Sequence, residues 1–261
     1  NISIIIMIKL LILQQLYGLS DPQLELQVAD RISFRVFLGT TEVIPDYSTV
    51  WLFRERLKED DKLEAIWDEF VNQLRAKGYD VKKGVIQDAT FITSDPGHAK
   101  SDVPRGDEAK TRRSRDGEWA KKGTKSYFGY KGHVKVDTEN NFIWKVETTA
   151  ANTHDSQVDL ANKGEVRYSD KGYHGAKTRG YDASMKKATR GHPLSIFDQL
   201  RNKRISSKRS PVERCFSVMK IVFKSGHVMV TTIERTAVKM TFNAIGYNLF
   251  NLLGLVNKNG T

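Results

Sequence analysis

Val85-Ile86-Gln87-Asp88-Ala89-Thr90-Phe91-Ile92 is a run of β-forming residues with one carboxylate near its centre. The β-branched and aromatic residues, which begin directly after Gly84, predict a strand in the interior of a sheet. An unpaired carboxylate in such a strand is costly, because the charge loses its hydration. We therefore expect a cation close to Asp88.

Further strands follow this run along the chain, and helices come after them. Residues 127–136 and 142–149 alternate between apolar and polar side chains, and the polar residues 137–141 between them predict a hairpin. A brief fourth strand is expected at 166–168. Helical periodicity then recurs in three segments, which are 175–188, 211–223 and 231–256. This order predicts an α/β fold in which a mixed sheet is flanked by helices.

Residues 1–80 are predicted to form a small all-helical region, which precedes an α/β domain at 81–261. The apolar run 2–13 contains Lys9 and is shorter than the about 20 residues that a membrane-spanning helix needs, so it predicts a core helix and no membrane association. Ser20-Asp21-Pro22 predicts a helix start with Asp21 as the cap. The short helices suggest two alternatives: a helix-turn-helix that binds DNA ends through Arg54 and Arg56, or a helical cap on the main core.

The charge of the chain is concentrated in one segment. The 261 residues include 42 Lys and Arg against 31 Asp and Glu, which gives a net charge of +11. Residues 166–224 hold 15 basic and 4 acidic residues and account for the whole excess. A surface of this charge density favours nucleic acid as a partner. The single cysteine, Cys215, excludes a disulfide within the chain and is typical of a reducing cytoplasm.

Three acids stand at positions from which a metal site can be assembled. Asp88 lies inside the first strand, Asp170 at the end of the fourth, and Glu213 near the start of a helix. Magnesium prefers such oxygen ligands, and two ions about 4 Å apart can activate a hydroxyl and stabilise a leaving oxygen. Glu213, Ser217 and Lys220 would share one helix face. The alternative for this segment is an exposed surface helix.

Other polar residues have plainer interpretations. Asp137 is expected to open the hairpin, and His133 is expected to be a hydrogen-bonded strand histidine. No His-x₃-His or Cys-x₂-Cys spacing occurs in the sequence, which argues against structural zinc.

Motifs spread over almost the whole chain point to one family. Three of them, in order, are Gln87-Asp88-Ala89-Thr90, Asp170-Lys171-Gly172-Tyr173-His174-Gly175 and the spacing Arg209…Glu213…Lys220. They resemble the catalytic motifs of DDE transposases, nearest to the IS-five-type insertion-sequence group of bacteria and archaea. Four further stretches resemble the same group, and these are residues 13–21, 45–49, 129–137 and 148–156.

The resemblance implies a ribonuclease-H-like catalytic core and a chemistry. Asp88, Asp170 and Glu213 would be the catalytic residues and would bind Mg²⁺, with Mn²⁺ as a substitute. The enzyme would cut the ends of its element and join the 3′-hydroxyl to double-stranded target DNA. Because both ends must be brought together, we expect a homodimer on DNA. The family pattern also has a tyrosine where this chain has Ser206, so the DNA contact of that tyrosine does not carry over.

Basic residues near the motifs are expected to contact DNA. They are Arg209, Lys220, Lys171, Arg204, Lys208, Lys131, Arg112 and Arg113. The last two lie in a basic segment, residues 95–125, that is nearly free of apolar residues and is predicted to be a mobile loop.

Two other functions fit the same residues. One is a metal-dependent nuclease of the same fold that hydrolyses DNA without joining it. The other is a DNA-binding protein without catalysis, either domesticated or truncated, an alternative suggested by the first residue, Asn1, in place of Met.

Overall fold

The fold is seen in a computed structural model, which describes residues 2–39, 44–59, 61–97 and 114–259. Five helices come first, and they are α1 (Ile4–Leu16), α2 (Asp21–Asp30), α3 (Ile32–Leu38), α4 (Tyr47–Arg56) and α5 (Lys62–Ala76). Strands follow, and they are β1 (Val85–Ser94), β2 (Glu118–Lys122), β3 (Lys125–Asp137), β4 (Ile143–Ala150), β5 (Val166–Ser169) and β6 (Tyr181–Ser184). The chain continues with α6 (Ile196–Ser217), β7 (His227–Val228) and α7 (Ile233–Asn259).

The strands form one mixed sheet around β1. Its order is β2-β3-β1-β5-β6, with β4 also paired to β3 and β7 to β1. β3 runs antiparallel to β1, whereas β5 and β7 run parallel to it. On this second edge of β1, β5 pairs with Val85 and Ile86, and β7 pairs with Thr93 and Ser94. The middle of β1, residues 87–92, therefore lies between the two pairings.

The two faces of the sheet are covered differently. Helices α6 and α7 and the N-terminal helices pack on one face and share one apolar core with it. Residues 151–165, here called the covering segment, lie over the opposite face. Gln87 joins this segment to β1, because its amide donates to the Val158 carbonyl at 2.6 Å and accepts from the Leu160 N–H at 3.0 Å.

The predicted fold class is confirmed, since a mixed sheet is flanked by helices and preceded by a helical region. The hairpin of β3 and β4 is also as predicted: Asp137 is buried and accepts from the N–H groups of Glu139, Asn140 and Phe142. The apolar run at the N-terminus forms α1, whose Leu10, Leu11 and Leu13 are buried in the core.

Membrane-spanning helices are not found in the described ranges. No single helix there is both long and apolar enough to cross a bilayer. Only α1 and α2 taken together pass by length and composition, and they meet at a bend of 105°.

Several predicted elements are wrong. The helix predicted at 175–188 is strand β6, which pairs in parallel with β5. The loop predicted at 95–125 contains strand β2, and Arg112 and Arg113 lie outside the described residues. The cap of α2 is Ser20 rather than Asp21: Ser20 Oγ accepts from the Gln23 N–H at 3.4 Å and Gln23 Oε1 accepts from the Ser20 N–H at 3.0 Å.

The helix expected at 211–223 begins at Ile196, because Pro211 lies inside α6 rather than at its start. Proline cannot donate to the carbonyl four residues earlier. The Ser210 hydroxyl donates to that carbonyl, Ser207 O, at 3.2 Å instead. After Ser217 the helix widens into a π-helical turn, Val218–Val222, which changes the faces of the residues that follow.

Candidate active site

Asp88 and Asp170 come from neighbouring parallel strands. β5 pairs with β1 in the register Val85↔Arg167 and Ile86↔Tyr168. Continued by two residues, this register sets Asp170 beside Asp88, on the same face of the sheet as α6. Parallel strands lie about 4.8 Å apart, so two carboxylates meet where β5 ends.

The Asp88 carboxylate is held by a guanidinium from α6. Arg209 Nη2 donates to Asp88 Oδ2 at 2.7 Å, and the Ala89 N–H donates to Oδ1 at 2.9 Å. Burial raises the pKa of Asp88 to about 6, against the opposing effect of Arg209 and with a further rise from the charges of Asp170 and Asp155. The cation expected beside Asp88 from the sequence is thus a residue of the chain itself.

Asp170 shapes the turn that follows β5. Its Oδ1 accepts from the Gly172 N–H at 2.8 Å and so caps the short helix Lys171–Tyr173. A Cβ on Gly172 would lie 3.0 Å from Asp170 Oδ1, so a side chain there would crowd the carboxylate. The Tyr173 ring is buried beneath this turn, and its hydroxyl has no hydrogen-bond partner among the described residues.

Glu213 is exposed on α6, four residues after Arg209 and therefore on the same side of the helix. The charges with the largest effect on the pKa of Asp88 are those of Arg209, Asp170 and Asp155. Within the described ranges, no three His, Cys, Asp or Glu side chains are gathered closely enough to hold a metal ion. The structure brings Asp88 and Asp170 together and places Glu213 one turn of α6 after Arg209, whose guanidinium binds Asp88.

The predicted helix face of Glu213, Ser217 and Lys220 is interrupted by the π-helical turn. Glu213 and Ser217 are exposed on α6, whereas Lys220 belongs to the turn and is partly buried. Burial lowers the pKa of Lys220. The Lys220 side chain packs against Gly226, 3.6 Å from where a Cβ of that residue would stand.

The other predicted DNA-binding residues differ in accessibility. Lys171, Arg204 and Lys208 are exposed. Lys131, in contrast, is 9 % exposed and donates to Asp155 Oδ1 at 2.8 Å and to the Thr153 carbonyl at 2.7 Å. His133 is a buried strand histidine, as expected, with Nε2 2.9 Å from Thr149 Oγ1.

Asp155 was missed as a member of this neighbourhood. It belongs to the covering segment, pairs with Lys131 and adds to the negative charge around Asp88. The polar positions of β3 could have pointed to it, because a buried lysine in a strand needs a carboxylate partner.

Comparison with known proteins identifies the family. The chain is 27% identical over 217 residues to the transposase for insertion sequence element IS1106 of Neisseria meningitidis serogroup B, and the match covers 76% of this chain and 75% of the relative. No solved structure matches the chain. Residues 1–56 match a transposase domain, DUF772. Residues 80–249 match the transposase DDE domain, whose members generally use divalent metal ions, and the chain belongs to this family of insertion-sequence DDE transposases.

Proposed function

We propose that this transposase cuts the ends of its element and joins the freed 3′-hydroxyl to double-stranded target DNA. Asp88, Asp170 and Glu213 would hold two Mg²⁺ ions, for which Mn²⁺ can substitute. The observation on which the proposal rests is the pair of carboxylates next to Arg209, since Asp88 lies within β1 and Asp170 directly follows the adjacent parallel strand β5.

The donor set suits a hard divalent cation. Asp88 and Asp170 offer carboxylate oxygens, and Asp88 already has a cation, the Arg209 guanidinium, at 2.7 Å. With 18% of its side chain exposed, Asp88 is reachable from solvent. Glu213 would supply a third carboxylate from the same side of α6 as Arg209.

The chain's own residues would position the DNA and neutralise its charge. Metal ions, when bound, would lower the barrier to in-line attack on a phosphodiester. Arg209 would turn from Asp88 to a phosphate oxygen, because a guanidinium can hold either partner through paired hydrogen bonds. Exposed Lys171 lies directly after Asp170 and would bind the strand that enters the site.

A basic segment that runs up to Arg209 supports DNA as the partner. Residues 185–208 contain seven Lys and Arg and one acid, Asp198. Asn202 fixes the loop at its base, since its side chain accepts from the Lys186 N–H and donates to the Lys186 carbonyl, each at 2.9 Å. Arg204 and Lys208 stand exposed on α6 above it. A charged surface fixed in this way favours the phosphate backbone.

The proposal also assigns a separate role to each of the two regions of the chain. Residues 1–80 would recognise the element ends and residues 81–261 would carry out the chemistry. Two ends must be held for joining, so the active form would be a homodimer on DNA. The place of action would be the cytoplasm, at the nucleoid, where the DNA is.

A cleavage and joining assay tests the proposal. Asp88→Asn, Asp170→Asn and Glu213→Gln should each lower Mg²⁺-dependent cutting of a terminal-repeat duplex by about 10³-fold or more, equivalent to about 4 kcal/mol of barrier. Glu147→Gln, which changes an exposed carboxylate on β4, is the matched control and should cut at the wild-type rate.

The products separate the alternatives. A pre-cut end incubated with a target plasmid should give a joined product. Fragments without joined product would identify a nuclease instead, and equal activity of the wild type and all three variants would identify a DNA-binding protein without catalysis by these acids.

A further inference from the structure

A second polar site lies away from the carboxylates, where the N-terminal helices meet α7. There a cleft of about 610 Å³ opens between α2 and α4 on one side and α7 with the loop around β7 on the other. Its wall includes Asp21, Arg54, Arg235 and Lys239, and Trp51 lies at its lining with 47% of its surface exposed. Clefts of this size take small molecules or part of a larger polar ligand.

In the first group of charges in the cleft, two cations, Arg54 and Lys239, lie near one carboxylate, Asp21. Arg54 is 8 % exposed and holds Asp21 through Nη2 and Oδ2 at 2.7 Å. Gln14 Nε2 adds a hydrogen bond to Asp21 Oδ1 at 2.6 Å. The oxygens of Asp21 are therefore occupied. Lys239 lines the same cleft, and its ammonium makes no hydrogen bond or ion pair with any residue in the described ranges.

Arg54 and Lys239 are thus two cations near one carboxylate, Asp21, which is paired with Arg54. Burial lowers the pKa of Lys239, the nearby charge of Arg54 lowers it further, and Asp21 only partly offsets them. A partly buried ammonium in this position lacks an anion, because the carboxylate near it is already paired with Arg54.

A second group of charges on the same wall also has more cations than carboxylates. Arg235 binds Glu55 through Nε and Nη2, each at 2.8 Å, and Lys58 pairs with the same carboxylate. Lys224 is an exposed residue in the lining of the cleft. No ion pair joins it to an acid among the described residues. Two cations thus lie near each of the acids Asp21 and Glu55, and Lys224 adds another positive charge.

We propose that this cleft is a binding site for a phosphate group, held by Lys239 and Lys224. A phosphate supplies the missing negative charge and several acceptor oxygens for lysine donors. It can come from a DNA backbone that runs over the N-terminal helices, or from a free phosphorylated small molecule. The inference requires neither the carboxylates at Asp88 and Asp170 nor any cutting of DNA, and only its DNA form rests on the proposed role of residues 1–80 in recognising the element ends.

Thermal unfolding of the full chain in inorganic pyrophosphate tests the site directly, with ionic strength kept constant by chloride. Ligand that binds only the folded state raises the melting temperature, and we expect a rise of about 3 °C near saturation. Lys239→Met keeps the aliphatic stem and should weaken pyrophosphate binding at least about tenfold. Lys224→Met changes an exposed side chain, so it should fold normally and weaken binding as well.

The control is Lys77→Met, an exposed lysine after α5 that does not line the cleft, and it should respond like the wild type. An equal rise in the wild type, Lys239→Met and Lys224→Met would overturn the proposal. So would the absence of any rise in the wild type.

Titration with a duplex at several salt concentrations distinguishes the two sources of phosphate. If a DNA phosphate occupies the cleft, Lys239→Met should reduce the slope of log affinity against log salt by about 0.9, and bound duplex should prevent the pyrophosphate effect. If a free phosphorylated molecule is the ligand, the slope should stay unchanged and pyrophosphate should still stabilise the DNA-bound protein. Loss of DNA cutting in the Asp88 variant leaves both measurements intact, so failure of either proposal is recognised separately.

Discussion

The two faces of the central sheet are stabilised in opposite ways. Towards α6 and α7, β1 and β3 present apolar side chains of one core, namely Ile86, Ile92, Val134 and Val136. The other face of the same two strands presents buried polar side chains, namely Gln87, Lys131, His133 and Lys135. Each of these four contacts a partner outside β1 and β3, most of them in the covering segment.

The two faces therefore stabilise the fold by different means, one by apolar packing and the other by specific polar partners. Apolar burial needs only shape, so the helix face can stabilise the fold without a particular partner. Buried charges are stable only while their partners stay in place. Asp88 belongs to the helix face and is an exception there, since it is a carboxylate bound to Arg209 from α6.

The largest expected effect is a cavity on the helix face. Ile86→Ala should lower the free energy of unfolding by about 4 kcal/mol, because the side chain is 0% exposed and its neighbours cannot close the space. Urea denaturation measures the change. Val36→Ala is a comparable truncation at 74% exposure and should change stability by less than about 0.5 kcal/mol. Similar losses at both positions would show that burial on this face of the sheet is not what stabilises the fold.

The face of the sheet that carries Gln87, Lys131, His133 and Lys135 is called the charged face here. On it, the loss of one member of an ion pair should lower the free energy of unfolding more than the loss of both. Lys135 is 3 % exposed and lies 3.2 Å from both oxygens of Glu165. Glu165→Gln leaves this ammonium without a counter-charge and should cost about 3 kcal/mol. The double variant Lys135→Met/Glu165→Gln should recover most of that loss, to within about 1 kcal/mol of the wild type.

An exposed pair provides the control for this cycle. Lys83 and Glu139 lie 3.5 Å apart with 71% and 32% of their side chains exposed. Glu139→Gln should therefore change stability by less than about 0.5 kcal/mol. A double variant at 135 and 165 that is less stable than Glu165→Gln alone would mean that the pair itself stabilises the charged face.

Local sequence patterns were enough to predict the helix face and the strands that form it. The alternation in β3 places Val134 and Val136 on one side and Lys135 on the other, and in the structure both sides are buried. The motif spacing also led to Asp88 and Asp170, which the sheet register brings together. These features depend on residues that are near in sequence or on a repeated family pattern.

Partners that are distant in sequence were not predictable. Lys131 was expected to contact DNA, but its partner Asp155 lies 24 residues away, and Arg209 lies 121 residues from Asp88. The sequence pattern at 175–188 predicts a helix where strand β6 forms, because its four residues form a strand only through their pairing with β5. The part of α6 before Pro211, residues 196–210, was not predicted, since the substitute hydrogen bond from Ser210 leaves no signal in the hydrophobic periodicity.

The smallest of the expected effects is an acid sensitivity of the charged face. Burial lowers the pKa of His133 from 6.5 to about 4. Between those values the unfolded chain binds a proton that the folded chain excludes, so the free energy of unfolding falls as the pH drops from 6.5 towards 4. Between pH 7 and pH 4.5 this linkage amounts to about 2 kcal/mol.

His133→Gln keeps a donor for Thr149 but cannot titrate, so its stability loss between pH 7 and pH 4.5 should be about 2 kcal/mol smaller than that of the wild type. Urea denaturation at the two pH values measures this difference. His192→Gln, at an exposed position, should lose as much stability as the wild type. If His133→Gln shows the same acid sensitivity as the wild type, the loss of stability at low pH does not come from His133.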